Sequence, residues 1–143
     1  MTSLQQVYLA GPLFSEAEKR YNLYLRDPLT GSGFMVYLPQ EQGEDTRHRN
    51  LEEDRQLFLH HREALDRSHC IIAVCDGTDT DSGTAWEMGY AHAQGIPVIA
   101  LRTDVRMLGH ARRINLMLEQ SASIVTTHEE LIVLLKAENN IRR

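Results

Sequence analysis

The sequence predicts a single α/β domain: one doubly wound, five-stranded parallel sheet with strand order 2-1-3-4-5. Three observations carry this. Short apolar runs alternate with stretches of helical spacing from one end of the chain to the other, the pattern of parallel strands joined by covering helices. The run Cys70-Ile71-Ile72-Ala73-Val74-Cys75 is apolar without alternation, as a strand buried on both faces requires. The 143 residues, 42% of them hydrophobic, show no internal repeat, low-complexity segment or linker and fit one core.

Each element has its own signal. Val7 to Ala10 is an apolar first strand, stopped by Gly11-Pro12. Helical spacing runs from about Ser15, a natural N-cap, to Leu29. Thr30-Gly31-Ser32-Gly33 reads as a turn, and Phe34 to Leu38 as a second strand ended by Pro39. Gln40 to Arg49 is polar, contains Gly43 and reads as a mobile loop. A long helix is expected over Asn50 to Arg67, then the central strand, then a polar loop from Asp76 to Asp81. The next helix, Ser82 to Gln94, ends at Gly95, a fitting C-cap position. Pro97 to Leu101 is a fourth strand, Leu108 to Glu119 loop and helix, Ala122 to Val125 a fifth strand and His128 to Ala137 a last helix.

Composition excludes several classes. A net charge of −5 disfavours a general nucleic-acid binder, which needs a basic surface against phosphates; the pairs Arg112-Arg113 and Arg142-Arg143 read as solvated surface. No stretch approaches the roughly 18–20 apolar residues of a membrane span, and Met1 to Gln6 lacks the pattern of a signal peptide, so a cytoplasmic location is expected. Cys70 and Cys75 are five apart on one strand and face opposite ways, which suits small core residues and not a disulfide. None of the seven histidines pairs with another at chelating helical spacing, and no metal is expected.

In a doubly wound sheet, ligands bind beyond the carboxyl ends of the strands where the strand order reverses. That selects the loops Gly11 to Phe14, Gln40 to Asp45 and Asp76 to Asp81. No phosphate-binding glycine motif occurs there. The loops are acidic instead, with Glu41, Glu44, Asp45, Asp76, Asp79 and Asp81. Such a site suits a neutral, hydroxyl-rich ligand, because carboxylates accept from sugar hydroxyls. Glu87 falls in the first turns of the helix after the central strand, where the helix dipole favours its ionised form. Two roles fit it. It is a nucleophile toward an anomeric carbon, or it closes a capping box with Thr84. Tyr8 either orients that carboxylate or is a half-buried core residue, and Trp86 either stacks on a base or packs.

The segments Val7-Tyr8-Leu9-Ala10-Gly11-Pro12-Leu13-Phe14, Val74-Cys75-Asp76-Gly77, Asp81-Ser82-Gly83-Thr84-Ala85-Trp86-Glu87-Met88-Gly89-Tyr90-Ala91 and Asn115-Leu116-Met117 resemble the nucleoside 2-deoxyribosyltransferase family, in order and over nearly the whole chain. The resemblance implies a flavodoxin-like fold and a double displacement. Glu87 attacks the anomeric carbon and releases the base, and a second base takes the deoxyribose with net retention. Tyr8 matches the tyrosine that holds the nucleophile, and Asp81 the carboxylate that binds the sugar 5'-hydroxyl. Gly11, Phe14 and Asp76 fall in the matched loops as substrate contacts. Asn115 and Met117 match residues that a neighbouring subunit contributes, which implies a homo-oligomer built from dimers. The ligands are deoxynucleosides and free nucleobases, and no cofactor is implied.

The related 2'-deoxynucleoside 5'-monophosphate N-glycosidases place a serine where this chain has Asp81, and an anion there should reject a phosphate dianion. Two departures stand out. The family's base-binding aspartate, eight residues before the central strand, is His61 here. Histidine still donates a proton near neutral pH but presents at most one acceptor; Asp54, two helical turns earlier on a similar face, is a more distant substitute. The C-terminal Asn139 to Arg143 shows nothing suited to reaching a neighbouring site. Gln40, ahead of Gln42, occupies the place of a base-contacting glutamine. Three readings follow: a deoxyribosyltransferase, a hydrolase of deoxynucleosides or their 5'-monophosphates that uses the same residues, and a non-catalytic nucleoside-binding module, against which the joint presence of Glu87 and Tyr8 argues.

Overall fold

The computed structural model describes residues 5–43 and 48–141; Glu44, Asp45, Arg142 and Arg143, named above, lie outside them. Five strands, β1 (Gln6–Ala10), β2 (Met35–Tyr37), β3 (Cys70–Val74), β4 (Val98–Leu101) and β5 (Ser123–Val125), form one all-parallel sheet in the order β2-β1-β3-β4-β5. The helices are α1 (Glu16–Gly31), α2 (Leu51–Arg67), α3 (Ser82–Ala93), α4 (Leu116–Gln120) and α5 (His128–Ile141). This is the expected α/β architecture and strand order. The segment expected to be a mobile loop begins with a 3-10 turn over Pro39–Glu41, favoured by the fixed φ of Pro39 at its start.

Strand alternation splits the core in two. Val7 and Leu9 of β1, with Cys70, Ile72 and Val74 of β3, pack against Leu25 and Leu29 of α1 and Leu131 and Leu135 of α5. Tyr8 and Ala10, with Ile71, Ala73 and Cys75, face Ala64 and Leu65 of α2 and Met88 and Ala91 of α3. Cys70 and Cys75 are free, buried and in opposite layers, as their odd spacing requires. Register places Ala10, Ala73 and Ala100 side by side across β1, β3 and β4. This row of small side chains on the α3 face leaves room for Met88 and Ala91. Gly11 continues the close packing just beyond β1: a Cβ there would lie 3.2 Å from both Asn22 Oδ1 and Val74 Cβ.

Local chemistry fixes the helix starts. Ser15 caps α1 and Asn50 caps α2, each in a full capping box with Glu18 and Glu53. The cap of α3 is Asp81, whose carboxylate accepts from the Thr84 N–H at 3.0 Å. Thr84 is therefore inside the helix, and the capping box of Thr84 with Glu87 does not form. Among the described residues no helix is long and apolar enough to cross a membrane.

Candidate active site

A cleft of about 1040 Å³ opens at the carboxyl ends of β1 and β3, between the start of α1, the face of α2 and the start of α3. The order reversal of the sheet creates it: the connections on either side of β1 and β3 leave in opposite directions. Tyr8, Gly11, Phe14, Gln40, His61, Asp81, Trp86 and Glu87 all line it.

At its base Tyr8, the middle residue of β1, meets Glu87 on α3. The Tyr8 side chain is fully buried, and its hydroxyl makes no hydrogen bond of full geometry with other protein groups. It lies against the Glu87 carboxylate; burial first, and that anion second, drive the phenol far above the usual tyrosine range. Burial likewise pushes Glu87 up to about 7; the Tyr8 hydroxyl lowers it and the Asp81 charge raises it. From the place of Glu87 in the sequence, the helix dipole is expected to keep it ionised. That expectation is corrected by position: Glu87 is the sixth residue of α3, beyond the first turn where the dipole acts, and desolvation dominates.

Asp81 uses one carboxylate oxygen to cap α3 through the Thr84 N–H and hydroxyl, while its side chain still borders the cleft. Above Tyr8 stacks its register partner on β2, Tyr37, with ring centroids 5.0 Å apart. The Tyr37 hydroxyl meets His61 Nδ1 at 2.8 Å. Burial, then His60 and Arg49, lower His61 to about 4. That lowering favours the neutral imidazole, which keeps one N–H to donate. Trp86 is half exposed, edge-on to Phe58 and stacked on Tyr90.

Several residues chosen from sequence are placed differently. Asp76 does not line the cleft; its oxygens accept from the Thr103 N–H at 2.7 Å, the Thr103 hydroxyl at 2.5 Å and the Asp104 N–H at 2.9 Å. It ties the loop after β3 to the loop after β4, because backbone donors beyond strand ends need acceptors. Buried Arg102 completes that tie by donating to the carbonyls of Cys75 and Gly77 at 2.6 and 2.7 Å. Gln40 borders the cleft, but its amide joins Asn22 and the Lys19 carbonyl, bracing the loop after β2 on α1. Asn115 caps α4, and Met117 is 74% exposed; neither lines the cleft of its own chain.

The cleft is also less acidic than its loops suggested. Glu41 pairs with Arg26 away from it, and Asp79 binds the neighbouring Thr80 N–H. Its charged lining is Asp54, Asp81 and Glu87 with Lys19, Arg49 and Arg62, and Asp54 is paired with Arg49 at 2.8 Å. The basic half is not visible in the loops, since Arg49 and Arg62 flank or lie on α2 and Lys19 on α1. The signal was on α2, where Asp54, Leu57, Phe58, His61, Arg62 and Leu65 recur every three or four residues and all reach the cleft. No group of three or more potential metal ligands gathers among the described residues.

A switch-point cleft with a buried carboxylate–phenol pair at its base and a carboxylate at its rim defines a class of proteins suited to a small polar ligand. The chain belongs to the nucleoside 2-deoxyribosyltransferase family, whose sequence profile matches residues 7–127. Among solved structures it is similar to a conserved protein from Enterococcus faecalis V583, with 29% identity, TM-score 0.80 and coverage of 94% of this chain and 99% of that one. It has the fold of a 2-deoxyribosyltransferase from Bacillus psychrosaccharolyticus, with 24% identity, TM-score 0.76 and coverage of 88% and 89%. The Clostridium botulinum CMP N-glycosidase shares that fold at 19% identity and TM-score 0.58, over 92% and 99% of the two chains. No curated protein matches.

Proposed function

We propose that the protein exchanges the base of 2'-deoxynucleosides by double displacement at Glu87. The observation that carries this reading is the buried Tyr8–Glu87 pair beside Asp81 in one cleft. A Glu87 carboxylate oxygen bonds to C1' as the C1'–N bond breaks, and the electron pair leaves with the base nitrogen. A nitrogen of a second base then attacks C1', and Glu87 departs as carboxylate, with net retention. Tyr8 donates to the non-attacking oxygen, a bond that tightens as substrate binds. The negative end of the pair stabilises the positive charge that develops on the sugar.

Asp81 takes the sugar 5'-hydroxyl with the carboxylate oxygen not used for capping. Its charge opposes a 5'-phosphate, so nucleosides are preferred over nucleotides although Lys19, Arg49 and Arg62 share the cleft. Asn115 and the exposed Met117 reach the cleft of a neighbouring copy, which makes the active form a homo-oligomer. Hydrolysis is the competing outcome, because the same residues serve when water replaces the second base, and the fold occurs in an N-glycosidase as well.

The test is incubation with 2'-deoxyinosine with and without guanine, products being separated by chromatography. Deoxyguanosine is the expected product. Equal hypoxanthine release in both tubes would replace transfer by hydrolysis, and no turnover of purine or pyrimidine donors would remove both. Asp81→Ser should raise use of deoxynucleoside 5'-monophosphates; unchanged nucleotide activity would remove the role given to Asp81.

A further inference from the structure

We propose that Tyr37 donates its hydroxyl proton to His61 Nδ1 and locks the imidazole as its neutral Nε2–H tautomer, so that His61 is a hydrogen-bond donor that selects bases with a carbonyl where adenine and cytosine have an amine. The inference rests on the base-exchange reading and adds the specificity of its base half.

The geometry begins in the sheet. Parallel register sets Tyr37 beside Tyr8, the rings stack, and the Tyr37 hydroxyl reaches His61 on α2 at 2.8 Å. A phenol is a far better donor than acceptor, and an unprotonated imidazole nitrogen is a good acceptor. The proton between them therefore stays on Tyr37, and the ring proton of His61 sits on Nε2. Burial and the Glu87 charge hold Tyr37 in its protonated form, up to about 12. Burial, His60 and Arg49 oppose a second proton on the imidazole. Among the described residues Nε2 has no protein partner, while the residue lines the cleft.

The neighbours reinforce the same sign. Arg62, one residue on, presents only donors to the cleft, and the acceptor on this face, Asp54, is engaged by Arg49. An aspartate at position 61 would accept from an exocyclic amine. A neutral Nε2–H cannot, and it meets an amine donor to donor. Hypoxanthine, guanine, thymine and uracil offer a carbonyl oxygen at the edge where adenine and cytosine carry an amine. Tyr37 is a positioning residue: it acts on the base only through His61.

Two measurements test this. The first is the 15N chemical-shift pattern of His61 in the wild-type protein, which identifies the unprotonated nitrogen; Nδ1 is expected, and a protonated Nδ1 would overturn the proposal. The second is the ratio of kcat/KM for 2'-deoxyinosine over 2'-deoxyadenosine, and for thymidine over 2'-deoxycytidine. The wild type should favour the carbonyl-bearing donor by roughly tenfold or more, the scale on which a mispaired polar group is rejected. His61→Asp should bring both ratios toward or below one. Tyr37→Phe should shrink them by freeing the tautomer, and thermal unfolding serves to verify its fold. Ratios at or below one in the wild type, or unchanged in His61→Asp, would overturn the proposal. If no donor turns over, base exchange itself fails. Calorimetry with free hypoxanthine and adenine then decides the inference separately, tighter hypoxanthine binding supporting it and equal or weaker binding refuting it.

Discussion

In the proposed reaction Glu87 is the centre of the chemistry, and two neighbours act on it with opposite signs. Burial places its carboxyl near 7, Tyr8 pulls it down and Asp81 pushes it up. A nucleophile must be ionised, so kcat/KM should fall as pH drops through about 7, with a slope of one proton. Tyr8→Phe removes a stabilising hydrogen bond from the anion and should move that acid limb to higher pH. Asp81→Asn keeps an N-cap but removes a negative charge, and should move it to lower pH. A pH–rate series on the three proteins checks both directions, and shifts of the same sign would show that this carboxylate does not set the limb. Glu87→Ala should cost roughly a thousandfold or more in kcat, measured with any accepted donor. At this scale the sequence made Glu87 and Tyr8 visible but left each with two roles. The cap at Asp81 removed the capping role of Glu87, and the buried Tyr8 hydroxyl turned toward it joined the two. His61 was visible as a departure from the family, but its neutrality was not. That rests on burial first and then on His60 and Arg49, while the partner of its Nδ1, Tyr37, lies 24 residues away in the chain.

The elements deliver these residues through their caps and their close approaches. Helix α2 forms one wall of the cleft, and its first turn is held by the reciprocal bonds of Asn50 and Glu53. Asn50→Ala should cost about 1 kcal/mol of stability, read from denaturant unfolding. Gly11 stands where β1 gives way to the cleft. A Cβ there meets Asn22 and Val74 at 3.2 Å, tighter than ordinary van der Waals contact. Gly11→Ala should destabilise by about 1–3 kcal/mol through overpacking, with a shift in the unfolding midpoint as the measurement. The caps at Ser15 and Asn50 and the helix stop near Gly95 were legible because they depend on residues close in sequence. Asp76 was misread for the complementary reason. It stood in the right loop for a ligand, but its acceptors are committed to Thr103 and Asp104 on the next strand's loop, and local sequence does not carry that pairing.

Across the whole molecule the cleft and the core oppose each other. A carboxyl whose pKa is about 7 in the fold and near 4.5 when unfolded binds more protons in the native state between those values. Stability therefore declines as pH rises through that window and stays reduced above about 7. Glu87→Gln should accordingly be more stable than the parent at pH 8, by about 1–3 kcal/mol after allowance for partial solvent access. The gain should vanish below pH 4.5, and thermal unfolding at the two pH values measures the difference. His61 works in the other direction, since its lowered pKa withdraws stability as pH falls from 6.5 toward 4. The sequence by itself determined the five strands, their parallel sheet and its order, because apolar runs and helical spacing are local properties and the chirality of crossovers leaves few ways to join them. It also determined which loops reach the switch point, since those follow from strand order alone. Only the tertiary structure decided the charge of the cleft, the desolvation of Glu87 and the pairing of His61 with Tyr37. Those depend on desolvation and on partners brought together from β1, β2, α2 and α3, and both exist only once the chain has closed around them.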